Sequence, residues 1–320
     1  MPNMNNPDKK PLIILTGPTA VGKTELSIKL AKAINGEIIS ADSIQVYKHM
    51  DIGSAKVTTE EMDGVKHYLI DVLEPTDEFN ICVFKQMATE AMEEIYAKGK
   101  IPIIAGGTGF YIQSILYDVE FDVEENDKSY RHSLEEKAAV EGVSVIHKML
   151  EEVDPKAAFE IHENNLKRVI RALEYYHETG KRISEHNEEQ KAKSSPYNYK
   201  YYVLNMDREK LYERINLRVD IMLKNGLVEE VKNLKDMGYD SDLVSMQGIG
   251  YKEIRQHIDG ELAYDDAVEM LKKNTRNFAK RQLTWFRREP EVVWLNHEDF
   301  GGDKDKILAF MLDDIHKNIL

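Results

Sequence analysis

Cysteine is almost absent from this sequence: Cys82 stands alone among 320 residues. One thiol builds neither a disulfide framework nor a zinc knuckle, which fits a reducing compartment and makes the cytoplasm the expected location. Within Asn80-Ile81-Cys82-Val83-Phe84 that thiol reads as a small buried hydrophobe. The ten histidines lack metal-ligand spacing, and His49, His67 and His162 each stand apart. No apolar run approaches the length needed to cross a bilayer, so no membrane partner is expected. The short apolar stretch behind Asp8, Lys9 and Lys10 ends in a glycine turn rather than a cleavage site, and no signal peptide is expected. Positive charge is scarce as well: 43 Lys and Arg against 57 Asp and Glu give a formal net charge of −14. That balance argues against a nucleic-acid surface spread over the whole chain. The scarcity is uneven, however. Residues 272–288 hold seven basic side chains (Lys272, Lys273, Arg276, Lys280, Arg281, Arg287, Arg288) and no Asp or Glu, which leaves local RNA binding open.

What is present is a globular composition, 42% hydrophobic and 31% charged, at a length that suits one large domain or two moderate ones. The first third predicts α/β structure. Short apolar runs at 12–15, 37–40, 68–70 and 101–105 read as buried strands, and 23–34 and 81–98 as helices between them, the second capped by Gly99. Such alternation predicts a parallel sheet with crossover helices. Near Asp118 the character changes to Glu-, Lys- and Ala-rich helical spacing, with Leu166, Val169, Ile170 and Leu173 on one face. Residues 199–204 return to strand composition, and 208–320 read as mostly helical. The expected architecture is therefore a P-loop NTPase-like parallel-sheet core, residues 1–118 and 198–320, interrupted by a helical insertion domain, residues 119–197.

Gly17-Pro18-Thr19-Ala20-Val21-Gly22-Lys23-Thr24 matches G-x-x-x-x-G-K-[ST] between a predicted strand and a predicted helix. Backbone N–H groups of such a loop, together with the helix N-terminus, offer donors and a positive dipole end to phosphate oxygens. Lys23 adds a point charge, and the Thr24 hydroxyl is the expected ligand for Mg²⁺. The motif specifies a phosphate chain without specifying ATP. No Asn-Lys-x-Asp segment is present to read guanine, and an ATPase is weakened but not removed, since Asp71 after the 68–70 strand can serve as its strand-end acid. A small-molecule kinase is the broad default on the loop alone.

Further segments narrow this. Ile39-Ser40-Ala41-Asp42-Ser43-Ile44-Gln45-Val46-Tyr47, Met50-Asp51-Ile52-Gly53-Ser54-Ala55-Lys56, His67-Tyr68-Leu69-Ile70-Asp71 and Gly106-Gly107-Thr108-Gly109-Phe110-Tyr111 follow in order. Then come Arg168 with Arg171-Ala172-Leu173-Glu174, and Arg281-Gln282-Leu283-Thr284-Trp285-Phe286-Arg287. Together with the phosphate loop they span residues 17–287, and the whole resembles the tRNA dimethylallyltransferases (tRNA isopentenyltransferases), the bacterial form above all, because no Cys/His zinc-finger extension follows. Gly109 carries little weight in that likeness.

The resemblance implies transfer of a dimethylallyl group from dimethylallyl diphosphate to the exocyclic amine of the adenine just 3′ of a tRNA anticodon, with the glycine loop holding the pyrophosphate. It implies tRNA contacts by Asp42, Ser43, Ile44, Gln45 and Thr108. It extends them to Lys167, Arg168, Val169, Ile170 and Arg171 in the insertion, with Arg131 aligning less surely. It further implies contacts by Gln247, Gly248, Ile249, Gly250, Tyr251 and Lys252, and by Lys280, Arg281, Gln282, Leu283, Thr284, Trp285, Phe286 and Arg287. By residue type, Trp285 and Phe286 read as core rather than as stacking platforms. Asp42, just past a strand, is the candidate general base, against the plainer reading of a helix N-cap. Thr108 and one of Arg214 and Arg218, with Arg218 preferred, are candidates to stabilise the leaving group. A solvated cationic face is the plainer reading of that arginine pair. A monomer is expected. The rival readings are a nucleotide or small-molecule kinase, an isopentenyltransferase acting on free adenine nucleotides, and a nucleotide-switched RNA-binding protein.

Overall fold

The computed structural model describes residues 9–119 and 129–320. Asp8 with its amino-terminal segment, and residues 120–128 at the start of the expected insertion, lie outside the described residues. The chain runs through β1 (Pro11–Thr16), α1 (Lys23–Ala33), β2 (Gly36–Ala41), α2 (Thr59–Met62), β3 (His67–Tyr68), α3 (Ile81–Ala97), β4 (Ile101–Gly106) and α4 (Gly109–Leu116). Five helices follow: α5 (Ser129–Glu141), α6 (Val143–Val153), α7 (Pro155–Glu160), α8 (Leu166–Thr179) and α9 (Ile183–Ala192). The last part holds β5 (Asn198–Asn205), α10 (Arg208–Lys224), α11 (Leu227–Asp236), α12 (Tyr251–Ile258), α13 (Tyr264–Phe286), β6 (Val292–Asn296) and α14 (Lys304–Asn318).

The six strands form one sheet in the order β3-β2-β4-β1-β5-β6, and every neighbouring pair is parallel. Its central strand explains itself from sequence: Leu12, Ile13, Ile14 and Leu15 are all 0% exposed, because helices cover both faces of a parallel sheet. The register sets Thr16 opposite Gly106 and Ala41 opposite the same glycine, so β1, β2 and β4 end together. The Thr16 hydroxyl donates to the Gly106 carbonyl at 2.7 Å and pins that edge. Every loop leaving these strands therefore starts from one place, where open α/β sheets bind ligands.

Two strand expectations need correction. The 68–70 strand shrinks to His67–Tyr68, because Leu69 (φ 61°) and Asp71 (φ 56°) adopt left-handed conformations that turn the chain out of the sheet. The region 208–320 is not wholly helical, since β6 pairs with β5 at the sheet edge. Val292-Val293-Trp294-Leu295 is a short continuous apolar run, which periodicity alone does not separate from a buried helical segment. Cys82, expected to be buried, is half-buried in the first turn of α3, where the Asn80 side chain accepts its N–H and that of Val83.

Two compact units divide the chain: Met1–Leu116 with Pro196–Leu320, and Tyr117–Ser195. The second unit holds α5 to α9 around Leu134, Ile146, Leu150, Val169, Ile170 and Leu173, with Leu166 partly buried against them. Among the described residues no helix is long and apolar enough to cross a membrane.

Candidate active site

Gly17 (φ 147°), Ala20 (φ 65°) and Gly22 (φ 105°) curl the loop after β1, the kind of backbone that aims N–H groups at an anion, although the Thr19 N–H is engaged by Gln282 and that of Val21 by the Pro18 carbonyl. No side chain caps α1, whose first-turn donors stay directed at the loop's centre. Lys23 folds back and donates to the carbonyls of Gly17 at 2.9 Å and Pro18 at 2.8 Å. Withdrawal from water, and then the neighbouring Arg218 guanidinium, lower its pKa to about 7, with Asp42 pulling the other way. Both candidate arginines of α10 reach the loop. Arg214 donates from Nε to Ala20 O at 2.9 Å, and Arg218 from Nη1 to the Thr19 hydroxyl at 3.3 Å. The two differ in setting. Arg214 is exposed, while Arg218 is half-buried and its pKa is pushed down by desolvation. Arg218 is thus no solvated surface cation.

A cavity of about 770 Å³ opens from the loop. Thr19, Lys23, Thr24, Asp42, Arg218 and Gln282 are among the residues that line it. Asp42 follows β2 directly. Its Oδ1 accepts the N–H groups of Ile44 at 2.9 Å and Gln45 at 3.3 Å, a capping contact, yet no helix begins there. Among the described residues Oδ2 makes no hydrogen bond, so the carboxylate caps a turn with one oxygen and keeps the other. Thr108 heads α4, and its N–H bonds to Ala41 O at 3.2 Å, one residue from Asp42. Among the described residues no cluster of three or more His, Cys, Asp or Glu is positioned for a metal.

The remaining sequence candidates separate by burial. Ser43 is exposed, and Ile44 and Gln45 are half-buried; the Gln45 side chain reaches Ser40, Ser54 and Ala55. In the helical unit Lys167, Arg168 and Arg171 are exposed on α8, whereas Val169 and Ile170 fill its core. The Arg131 guanidinium forks onto the Glu174 carboxylate, a structural partner for a residue expected to meet RNA. Gln247 and Lys252 are exposed, and Gly248 and Ile249 half-buried. Gly250 and Tyr251 are buried, Tyr251 completely, and its hydroxyl donates to Glu230 at 2.8 Å. Lys280, Arg281, Thr284 and Arg287 are exposed, Leu283 is half-buried and Phe286 is 0% exposed. Trp285 is half-buried, so of the pair expected in the core only Phe286 lies fully there. The basic stretch also finds an acid from elsewhere in the chain, because Lys272 pairs with Asp220 at 2.7 Å.

Three features escaped the sequence reading. Gly109 sits against a ring: a Cβ there would lie 2.2 Å from Trp285, so any larger residue would force that side chain, or the helix that carries it, to shift. Asp71, read as an acidic residue at a strand end, is a partner of the Lys56 ammonium, which also binds Asp51 and the Tyr47 carbonyl. Gln282, grouped with the basic residues beside it, is buried and lines the cavity. The spacing of Leu271, Ala279, Gln282 and Phe286, all buried on α13, is the helical signal that marks it as inward-facing.

The chain matches the sequence model of the IPP transferase family over residues 45–289. A tRNA dimethylallyltransferase from Lachnoclostridium phytofermentans is 61% identical over 294 residues, which cover 92% of this chain and 94% of that protein. Among solved structures, the tRNA isopentenylpyrophosphate transferase of Bacillus halodurans is 44% identical, with a TM-score of 0.72, over 97% of this chain and 98% of its own. A eukaryotic dimethylallyltransferase acting on tRNA is 30% identical with a TM-score of 0.80, over 97% of this chain and 81% of that one. The chain belongs to the IPP transferase family, the enzymes that prenylate adenosine in tRNA.

Proposed function

We propose that this enzyme takes the dimethylallyl group from dimethylallyl diphosphate, places it on the N6 amine of the adenosine 3′-adjacent to a tRNA anticodon, and releases pyrophosphate. One observation carries the reading: a single cavity joins the phosphate loop, Lys23 and Arg218 to the Asp42 carboxylate. A kinase would also use a carboxylate near the phosphate loop, but its small acceptor gives no role to the exposed basic residues of α13. A free-nucleotide acceptor has no call for the helix.

In this reading the N6 lone pair attacks C1 of the dimethylallyl group, and the C1–O bond breaks with its electron pair leaving on pyrophosphate. The N6 proton passes to Asp42 Oδ2 while Oδ1 stays fixed by the Ile44 and Gln45 N–H groups. Lys23, Arg218 and the α1 N-terminus meet the charge that develops on the leaving group, and Arg214 adds to it from the rim. Thr108, one residue from Asp42 across the strand ends, orients the amine.

Thr24 supplies a hydroxyl oxygen to the same cavity, which suits a hard cation whose remaining ligands would be diphosphate oxygens and water. Bound there, Mg²⁺ would neutralise diphosphate charge. The acceptor base must leave its stack to reach Asp42. Ser43 beside it is exposed, as are Lys280, Arg281 and Arg287 at the end of α13, residues suited to RNA contact; taken by itself, the helical unit likewise exposes Lys167, Arg168 and Arg171. The enzyme would work as a cytoplasmic monomer.

Incubation with dimethylallyl diphosphate, Mg²⁺ and unmodified tRNA, followed by nucleoside mass analysis, should yield prenylated adenosine. Phosphate transfer from ATP without prenylation would hand the site to the kinase reading.

A further inference from the structure

The Gln282 side chain lies where the resemblance leads one to expect an RNA contact, but both ends of its amide are already engaged. Oε1 accepts the N–H of Thr19 in the phosphate loop at 2.9 Å, and Nε2 donates to the Gly107 carbonyl, beyond β4, at 3.0 Å. The residue is 6% exposed, and a Cβ on Gly107 would lie 2.1 Å from Nε2, so the fit leaves no slack. The amide therefore bolts together two loops that leave different strands, and it does so from α13. On the opposite face of that helix Lys280, Arg281 and Thr284 line a separate groove of about 340 Å³. Thr19 is held from its other side as well, through the Arg218 bond to its hydroxyl.

We infer that Gln282 is a positioning residue for the diphosphate-binding loop, not a tRNA contact, and that it ties the RNA-facing helix to the donor site. With its N–H spent on Gln282, Thr19 is fixed, and the curl of residues 17–22 that aims the remaining donors inward is fixed with it. A helix held by tRNA on its outer face would in turn hold this loop in shape, so donor and tRNA should each strengthen the binding of the other. The inference rests on the reading of the loop as a diphosphate grip.

The test uses the full-length protein, with inorganic pyrophosphate plus Mg²⁺ and unmodified tRNA as separate probes. Gln282→Met keeps the volume and removes both hydrogen bonds; Gln282→Glu keeps the acceptor for Thr19, loses the donor to Gly107 and adds a negative charge. Pyrophosphate affinity should fall about tenfold in the first and further in the second. The Michaelis constant for dimethylallyl diphosphate should rise in parallel, while the affinity for tRNA alone stays within about twofold. The enhancement of tRNA affinity by pyrophosphate expected of the unaltered protein should shrink in both variants. A tRNA affinity lowered about tenfold with pyrophosphate binding intact would overturn the inference and restore the RNA contact. Equal loss of both affinities, or of neither, in variants of unchanged melting temperature would overturn it too. Failure of the unaltered protein to bind pyrophosphate would overturn the reading of the loop itself, and the inference with it.

Discussion

At Asp42 the two carboxylate oxygens have different neighbours, and that asymmetry makes a clean substitution possible. Asparagine at this position keeps an acceptor for the Ile44 and Gln45 N–H groups, so the turn should survive. Only the basic oxygen is lost. Single-turnover transfer by Asp42→Asn should fall about 10²- to 10⁴-fold with pyrophosphate affinity nearly unchanged; near-normal turnover would remove Asp42 from the chemistry. Lys23 gives a second expectation, in pH. Its free-state pKa of about 7 leaves it charged below that value and mostly neutral above it, and a bound polyanion raises that pKa. Below about pH 7 binding takes up no proton at Lys23. Above it binding does, so affinity should weaken as pH rises, by up to about tenfold per unit. Pyrophosphate titrates in the same range, so the check is the difference in slope between the unaltered protein and Lys23→Met, measured by calorimetry. At this scale the phosphate loop was legible because local spacing encodes it, whereas Asp42 stood between base and N-cap on spacing alone and was singled out by the resemblance. Gln282, Tyr251 and Gly109 were not legible, because burial is decided by partners in distant segments: Thr19 for the first, Glu230 and Ser54 for the second, Trp285 for the third.

Helices α11 and α12 hold the segment that follows Asp42 by an arrangement no motif announces. Glu230 of α11 accepts the N–H groups of Asp51 (3.0 Å), Ile52 (2.7 Å) and Gly53 (3.0 Å), and also the Tyr251 hydroxyl. The same hydroxyl accepts the Ser54 N–H at 3.1 Å. One half-buried carboxylate thus gathers four donors. Glu230→Ala should destabilise the protein by about 2 kcal/mol in urea unfolding, since the stranded backbone N–H groups regain only part of their hydration. The segment it releases carries Ser54, whose carbonyl meets the Gln45 side chain, so kcat should drop more than pyrophosphate affinity does. Most elements were legible at their centres. The exceptions are β3, cut to two residues by left-handed turns at Leu69 and Asp71, and β6, whose short apolar run periodicity alone does not separate from a buried helical segment.

Over the whole molecule a net charge of −14 coexists with an exposed basic cluster, Lys280, Arg281, Arg287 and Arg288, at the end of α13. If tRNA phosphates sit there, log affinity should fall against log salt with a slope of about −3 or steeper. Lys280→Glu with Arg281→Glu should flatten that slope by about 2. A flat response in the unaltered protein, read by filter binding across a salt series, would place the RNA elsewhere. The interrupted plan of the chain was visible as a change of composition near Asp118, but composition cannot say which strands flank one another.

That last arrangement has a consequence for the chain as it is made. β1 pairs on one side with β4 and on the other with β5, so Thr16 must wait for Val203. At roughly 5–20 residues per second, on the order of ten seconds or more separate their emergence from the ribosome. Throughout that interval one edge of the most apolar strand in the protein has no neighbour, while the intervening helical unit, built from local contacts, has time to fold. The newly made enzyme should therefore be most prone to aggregation, and most in need of a chaperone, before β5 arrives.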